Sequence, residues 1–280
     1  GDRVLVHSDG YYNMRALLKE HFEPMGVIVQ TVATSAFADA DFTGFRMALI
    51  ETPSNPGLDV CDIAAVAAKA RAAGTILVAD NTTANPLCQR PLDLGADMTI
   101  MADTKAMAGH SDILAGHVAS RSTQLMAPVR SWRRLAGALV SPFDAYLLHR
   151  GLETLELRTG RANGNALAVA TALSGDERIT GLRYPGLAAD PAHPVARRQM
   201  KSYGPIVSFC LPTRAAAEAF IERHALLAAV TSFGSVHSSA ECRIRWGDAV
   251  PEGFIRMACG IEPVTDLVSA TLAALDELRF

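Results

Sequence analysis

The sequence has no strong excess of charge of one sign. Its 26 Lys and Arg residues nearly balance its 29 Asp and Glu residues, for a formal net charge of −3. Nucleic acids and anionic membrane surfaces attract proteins with basic faces, and this balance gives no reason to expect either partner. We therefore predict a small-molecule substrate, with neither nucleic acid nor membrane as partner.

The sequence also lacks paired cysteines and long apolar runs. Its five cysteines are scattered and form no CxxC pair, so we predict reduced thiols and no disulfide framework or metal site. No apolar run is long enough to span a membrane, and no signal peptide is evident. These absences predict a cytoplasmic protein.

No predicted strand leads into a GxGxxG loop, which argues against a nicotinamide-dependent dehydrogenase. With 280 residues, of which 49% are apolar, the chain is long enough for one large or two ordinary domains.

The first half of the chain alternates between apolar runs of strand length and helical stretches. The clearest helix covers residues 60–73, is rich in alanine, and is closed by Gly74. This alternation predicts an α/β fold with a mostly parallel sheet covered by helices. The predicted strands are 3–7, 27–32, 46–50, 76–80, 98–101 and 114–119.

The pattern changes after Ser141, where Ser141 and Pro142 predict the start of a long helical region that reaches about Leu173. A smaller α+β unit follows. We predict two domains, 1–158 and 159–280, joined through the long helix with the ligand site between them. The predicted elements of the second unit are strands near 179–184, 206–211 and 254–259, and helices near 194–203, 215–224 and 264–278.

Two of the predicted strands end abruptly in polar groups. In the segment ILVADNT at 76–82 the apolar residues are followed by Asp80, and the segment MTIMADTK at 98–105 ends in Lys105. In an open parallel sheet the ligand crevice lies beyond the carboxyl ends of the strands, so both side chains should enter one site. An acid and a lysine are the groups that pyridoxal 5'-phosphate (PLP) needs, the acid for its ring nitrogen and the lysine for the Schiff base. Alone, however, each could be a helix cap or a solvated surface charge.

The residues around this pair resemble one family in order and spacing. The motifs are ETPSNP at 51–56, DNT at 80–82, TK at 104–105 with GHSD at 109–112, YPGL at 184–187, ARRQM at 196–200, and IRM at 255–257 with GIE at 260–262. They resemble the Cys/Met-metabolism PLP enzymes, which include cystathionine γ-lyase, cystathionine γ-synthase and methionine γ-lyase. Within that family, residues 128–158 and 232–262 most resemble actinobacterial cystathionine γ-lyases.

The resemblance implies PLP as cofactor and the fold of the type I PLP-dependent transferases. It implies that Lys105 is the catalytic lysine that binds PLP and that Asp80 pairs with the ring nitrogen. Tyr11 matches the tyrosine that stacks on the ring and takes a proton from the substrate amine, with Tyr12 as the competing candidate. Arg256 would hold the substrate α-carboxylate. The remaining implied contacts are Thr82 and Thr104 for the cofactor, Asn55 for the 3'-oxygen of its ring, and Ser232 for the substrate carboxylate.

Three positions depart from the family pattern. Ala102 replaces one of two hydroxyl residues that contact the cofactor phosphate, while Asp103 should point away from the site because neighbouring strand residues alternate. Asn13 stands where lyases usually have Gly or Cys. Thr231 stands where cystathionine-specific enzymes tend to have Glu, so it gives no negative charge for the distal ammonium of cystathionine. We interpret His110 and His237 as structural.

We therefore predict a PLP-dependent carbon-sulfur lyase that acts at Cγ of a thioether amino acid. One alternative is a synthase that performs γ-replacement, either a cystathionine γ-synthase or a homoserine sulfhydrylase, because it uses the same residues. Another is a non-catalytic assembly partner with a degenerate PLP fold. The resemblance begins inside the family's large domain and implies a homotetramer, a dimer of dimers in which an arm of one subunit completes its neighbour's site.

Overall fold

The first half of the chain forms a six-stranded sheet in the order β2-β1-β3-β4-β5-β6. The computed structural model describes residues 1–246 and 249–278. Strands β1 to β5 are parallel, and β6 pairs with β5 in the antiparallel direction. The strands are β1 (Arg3–His7), β2 (Ile28–Val32), β3 (Met47–Glu51), β4 (Ile76–Asp80), β5 (Met98–Ala102) and β6 (Gly116–Ala119). The predicted mostly parallel sheet is confirmed.

The second half forms a four-stranded antiparallel sheet in the order β7-β8-β10-β9. Its strands are β7 (Thr180–Arg183), β8 (Ile206–Cys210), β9 (Ser239–Cys242) and β10 (Phe254–Ala258). The α-helices of the described chain are α1 (Tyr12–Leu17), α2 (Ile63–Ala72), α3 (Thr123–Ala136), α4 (Pro142–Leu152), α5 (Leu155–Leu173), α6 (His193–Gln199), α7 (Arg214–Arg223) and α8 (Val264–Asp276).

Each sheet has its own apolar core. In the large sheet, Leu5, Ile50 and Leu77 point to one face and pack under Ile63 and neighbouring residues of α2. The opposite side chains of the same strands form a second cluster, as expected for strands buried on both faces. The small sheet packs against α5, α7 and α8 through the largest buried cluster in the described chain.

The two halves contact each other through a small cluster in which Val60 and Cys88 pack against Ala196 and Met200. The boundary predicted at residue 158 falls inside α5 and stays a prediction. No helix in the described residues is both long enough and apolar enough to cross a membrane.

Helix α2 begins at Ile63, three residues later than predicted. The Asp62 carboxylate accepts the backbone N–H of Ala65 at 3.0 Å and therefore caps the helix. Residues 60–62 lie outside the helix for that reason.

The single helical region predicted from Ser141 to about Leu173 is two helices, α4 and α5. Ser141 caps α4 as predicted, since its hydroxyl accepts the N–H of Asp144 at 3.1 Å. The break follows Gly151, where a Cβ atom would lie 2.6 Å from the Ala108 carbonyl. Arg158 of α5 donates to the carbonyl of Gly151 at 2.5 Å and to that of Ala106 at 2.8 Å. Gly151 and Arg158, on either side of the break, thus hold the loop that follows Lys105.

Helices α1 and α3 and strand β9 have no counterpart among the elements whose bounds were predicted from the sequence. Helix α3 buries none of its residues, and it contains Pro128, a residue with low helix propensity. The sequence therefore gave no strong signal for this helix. Strand β9 has only four residues and pairs in the sheet with β10 alone.

Candidate active site

An open cleft of about 890 Å³, a volume that includes solvent at its mouth, lies at the carboxyl ends of β3, β4 and β5. The small sheet and the loop before β9 form its other wall. Its lining residues are Tyr11, Tyr12, Glu51, Asn55, Asp80, Thr82, Thr83, Ala102, Thr104, Lys105, Leu114, Thr231, Phe233, Arg243 and Arg256. Eight of the ten site residues predicted from the sequence line this cleft, and the other two, Ser232 and Asn13, contact residues that do.

Lys105 lies on the turn after β5, where its backbone N–H donates to the Ala102 carbonyl at 3.1 Å. Its Nζ donates to the Ser232 hydroxyl at 3.1 Å and lies 5.0 Å from the centre of the Phe233 ring. Burial, and then the charge of Arg256, lower the pKa of Lys105 below its usual value. A lowered pKa favours the neutral amine, which is the nucleophilic form.

Asp80 ends β4 and is oriented by Thr82. Its Oδ1 accepts the Thr82 hydroxyl at 2.5 Å and the Thr82 N–H at 2.9 Å. The Thr82 hydroxyl also accepts the N–H of Ala102 at 3.0 Å, so one side chain joins the ends of β4 and β5. Both hydrogen bonds to Asp80 go to one oxygen, and the carboxylate still lines the cleft.

Glu51 ends β3 directly beside Asp80, its partner in the strand register. Burial, together with the charge of Asp80, raises the pKa of Glu51 to about 8. Burial also raises the pKa of Asp80, but the two Thr82 hydrogen bonds oppose that rise by favouring the charged form. Burial thus raises the pKa of both carboxyl groups, and the two Thr82 hydrogen bonds favour the charged form of Asp80.

The strand end next to Lys105 has one hydroxyl, as the sequence indicated, where the family that it resembles has two. Ala102 and Thr104 both line the cleft, whereas Asp103 is buried on the other side and contacts His117 Nδ1 at 2.6 Å. The predicted alternation is confirmed. The Thr104 hydroxyl donates to the Ala115 carbonyl at 3.2 Å and accepts the Ala115 N–H at 3.0 Å. Its proton must reorient before it can bind a phosphate.

Tyr11 and Tyr12 both line the cleft, so the choice between them stays open by location alone. Their rings contact edge to face, with centroids 5.2 Å apart. The Asn13 amide donates to the Tyr11 hydroxyl at 2.8 Å. Asn13 thus acts on the tip of Tyr11 and does not itself line the cleft.

Arg256, at the centre of β10, points its guanidinium into the cleft from the small sheet. It donates to the Asn55 side-chain oxygen at 2.8 Å and to the Thr231 carbonyl at 2.6 Å, and it pairs with Glu241. Its Cζ lies 5.1 Å from the centre of the Phe233 ring. These contacts orient a planar fork of the kind that binds carboxylates.

Sequence reasoning gave no role to several residues at the site, among them Glu51, Phe233, Glu241 and Arg243. Glu51 follows an apolar strand as Asp80 does, so the strand-end rule could have found it. Glu241 contacts the guanidinium of Arg243 at 2.7 Å and that of Arg256. His110 and His237 do not line the cleft. The cysteines are all buried free thiols, and the described part of the chain has no cluster of potential metal ligands.

These residues fit the chemistry of PLP. The cleft contains the Asp80 carboxylate, one oxygen of which accepts both Thr82 hydrogen bonds, and the Lys105 amine, whose pKa is lowered. It also contains the partly exposed ring of Tyr11 and the guanidinium of Arg256. Lys105 would hold the aldehyde carbon, Asp80 the ring nitrogen, and Tyr11 the ring face.

Comparisons with known proteins agree with this fit. The model of the Cys/Met metabolism PLP-dependent enzyme family matches residues 1–276. A Streptomyces coelicolor protein named "Putative cystathionine gamma-lyase" is 49% identical over 279 residues, which cover 99% of this chain and 71% of that protein.

Solved structures with lower sequence identity share the fold of the chain. The metB structure from Corynebacterium glutamicum superposes with a TM-score of 0.96 at 33% identity, over 100% of this chain and 76% of that one. Apo CalE6, a methionine gamma lyase from Micromonospora echinospora, gives 0.93 at 35% identity, over 98% and 75%. Further relatives are named cystathionine beta-lyase and cystathionine gamma-synthase, so the relatives differ in reaction. The chain belongs to the Cys/Met-metabolism family of PLP-dependent enzymes, and its cofactor is pyridoxal phosphate.

Proposed function

We propose that this enzyme cleaves the bond between Cγ and sulfur in a thioether amino acid such as L-cystathionine or L-methionine, and releases a thiol, a 2-oxo acid and ammonia. The observation that carries the proposal is the placement of Lys105 and Arg256 against one ring, that of Phe233, with Nζ at 5.0 Å and Cζ at 5.1 Å from its centre. A proton carrier and a carboxylate clamp are thereby held in the same part of the cleft, as an α-amino acid requires. The chain belongs to a family of enzymes, which argues against the alternative of a non-catalytic assembly partner.

Each step of this reaction falls to a residue of the cleft. Arg256 binds the substrate α-carboxylate in its fork, and Ser232 lies within reach of the same group. Tyr11 takes a proton from the substrate amine, and Asn13 holds the tip of its phenol. When bound, the cofactor withdraws electrons from the substrate's Cα through its protonated ring, which Asp80 keeps protonated. Lys105 would then move protons at Cα and Cβ, and the Cγ–sulfur bond would break as the sulfur leaves and takes up a proton to become the thiol. Water would hydrolyse the remaining unsaturated amine to the 2-oxo acid and ammonia.

A γ-replacement synthase remains the alternative, since the same residues serve both reactions. The relative at 49% identity is named as a lyase and supports lysis. A substrate panel decides between the two. Cystathionine and methionine are each incubated with enzyme while thiol and 2-oxo acid are measured, and a homoserine ester is incubated with cysteine while cystathionine is measured. Faster replacement than elimination would contradict the proposal.

Thr231 is expected to leave substrate choice relaxed. Its carbonyl accepts a hydrogen bond from Arg256, and the residue lines the cleft, but its side chain carries no charge for the distal ammonium of cystathionine. We expect kcat/KM for cystathionine and methionine to differ by less than about a hundredfold, or ~2.7 kcal/mol. Thr231→Glu should shift the ratio toward cystathionine by about tenfold or more, because a charge-assisted hydrogen bond adds ~1.5–3 kcal/mol.

Thr231→Gln is the matched control, since it has the size of the Glu variant without the charge. It should leave the ratio near that of the wild type. A wild-type preference for cystathionine above about a thousandfold, left unchanged in the Glu variant, would show that another residue recognises the distal group.

We predict that a hydroxyl residue in place of Ala102 raises the affinity of the enzyme for PLP. Its Cβ faces the cleft beside Thr104, whose hydroxyl proton is engaged by Ala115. Ala102→Ser should lower the PLP dissociation constant by up to about tenfold, because it adds one charge-assisted hydrogen bond to the phosphate. Fluorescence titration of the cofactor-free enzyme measures this constant. An unchanged value would mean that the phosphate is bound elsewhere.

We also propose a homotetramer. Large apolar side chains on and around α3 and α4 are exposed, among them Trp132, Leu135, Leu139, Phe143 and Tyr146. Such a patch is typical of a subunit interface. A monomer in sedimentation equilibrium would contradict this proposal. The cytoplasmic location stays a prediction.

A further inference from the structure

Glu51 has no role in the reaction described above, although it lies at the centre of the cofactor site. It is 3% exposed and ends β3 beside Asp80. A buried carboxylate is unfavourable unless hydrogen bonds compensate for lost water, so its contacts indicate what retains it there.

The Glu51 carboxylate joins two loops that reach the cofactor from different strands. Its Oε2 accepts the backbone N–H of Tyr11 at 2.8 Å, on the loop after β1. Its Oε1 accepts the backbone N–H of Asn55 at 2.7 Å, on the loop after β3. Tyr11 and Asn55 are the residues proposed to contact the ring face and the ring 3'-oxygen.

The first of these loops packs directly against the carboxylate. A Cβ atom at Gly10 would lie 2.7 Å from Glu51 Oε2 and 2.2 Å from His7 Nδ1, so only glycine permits this approach. His7 Nδ1 accepts the Gly10 N–H at 3.1 Å, which places the ring proton on Nε2, 3.7 Å from Glu51. The loop is therefore held by both side chains.

The groups that face Glu51 give it no cationic partner among the described residues. Burial lowers the pKa of His7 to about 4, so this histidine is neutral at physiological pH. The other charges that act on Glu51 are those of Asp80 and Asp9, both negative. Glu51 is thus retained without a salt bridge, and its two backbone contacts are its main compensation.

We propose that Glu51 is a positioning residue for the cofactor: it holds Tyr11 and Asn55 in fixed register with Asp80, so that the ring is clamped at its face, its 3'-oxygen and its nitrogen together. This inference rests on the proposed placement of the ring in the cleft. It does not depend on which thioether is cleaved.

The test is Glu51→Gln in the full chain. A glutamine has one acceptor oxygen, so either Tyr11 or Asn55 loses its partner and faces an NH₂ group instead. We expect the PLP dissociation constant to rise about tenfold and the visible circular dichroism of bound PLP to weaken, because the ring loses a fixed orientation. Glu51→Asp keeps both acceptor oxygens but withdraws them by one methylene group, and it should change both readouts in the same direction.

Asp190→Asn is the matched control. Asp190 is also a buried carboxylate that accepts two backbone N–H groups, those of Tyr184 at 2.8 Å and Ala192 at 2.7 Å, but it does not line the cleft and it pairs with Arg183. The Asp190→Asn variant should have a lower melting temperature than the wild type, with the same PLP affinity and the same dichroism of bound PLP.

The proposal is overturned if Glu51→Gln and Glu51→Asp bind PLP with the wild-type constant and dichroism, or if Asp190→Asn changes both as much. If Glu51→Gln does not fold, Glu51→Asp decides by the same two measurements. Neither measurement needs a substrate, so a failure of the proposed lyase reaction would leave this test intact.

Discussion

Lys105→Ala is expected to abolish the visible absorbance of the lysine-bound cofactor and to lower kcat by about 10,000-fold or more, because one amine serves as both covalent anchor and proton carrier. The structure gives that amine the environment the two tasks need. Its Nζ lies 3.1 Å from Ser232, and burial and Arg256 lower its pKa.

Borohydride reduction of the wild-type holoenzyme, followed by peptide mass spectrometry, should locate the cofactor on Lys105. Lys69→Ala is the control, since this lysine is exposed on α2 and should change neither absorbance nor rate. Retained absorbance and turnover in Lys105→Ala would refute the assignment.

Asp80→Asn is expected to have the second largest effect. Asparagine keeps an oxygen for the two Thr82 hydrogen bonds, so the end of β4 should keep its geometry while the negative charge is lost. A hydrogen bond to a charged group adds ~1.5–3 kcal/mol, and we expect PLP to bind about 10- to 150-fold more weakly. At saturating PLP, kcat should still fall by about 100- to 1,000-fold, because the charge that favours the protonated ring is missing.

The matched control for this variant is Asp97→Asn. Asp97 also joins neighbouring strands through its carboxylate, which accepts the Leu77 N–H at 2.8 Å, but it lies at the opposite end of the sheet from the cleft. Its variant should keep wild-type PLP affinity. Equal losses in the two variants would mean that Asp80 acts through the strands and not through its charge.

The large sheet could be predicted because its signal is local. Each strand is a short apolar run that ends in polar residues, and the strand-helix alternation indicates parallel pairing. The predicted boundaries of β1 and β4 match the structure at both ends. One prediction failed because of a single contact between residues distant in the sequence. The break between α4 and α5 follows from the approach of Gly151 to Ala108, which no helical periodicity reveals.

The candidate site divides in the same way. Asp80 and Lys105 follow strands of one parallel sheet, so their meeting could be inferred from the order of the strands. Arg256 and Ser232 were identified only through resemblance to a family, since they come from the other sheet. Their contacts join residues 201 and 127 positions apart, Arg256 with Asn55 and Ser232 with Lys105. Sequence spacing gives no information on contacts of that range.

By itself, then, the sequence determined the strand ends, the alternation that points Ala102 and Thr104 into the cleft and Asp103 away, and the absence of a strong charge excess. These properties depend on neighbours within a few residues and on composition. Only the tertiary structure decided that Glu51 joins the loops of Tyr11 and Asn55 and that the Thr104 hydroxyl is engaged by Ala115. It alone also raised the pKa of Glu51, because burial and the charge of Asp80 on the neighbouring strand cause that rise, and neither acts before the chain has folded.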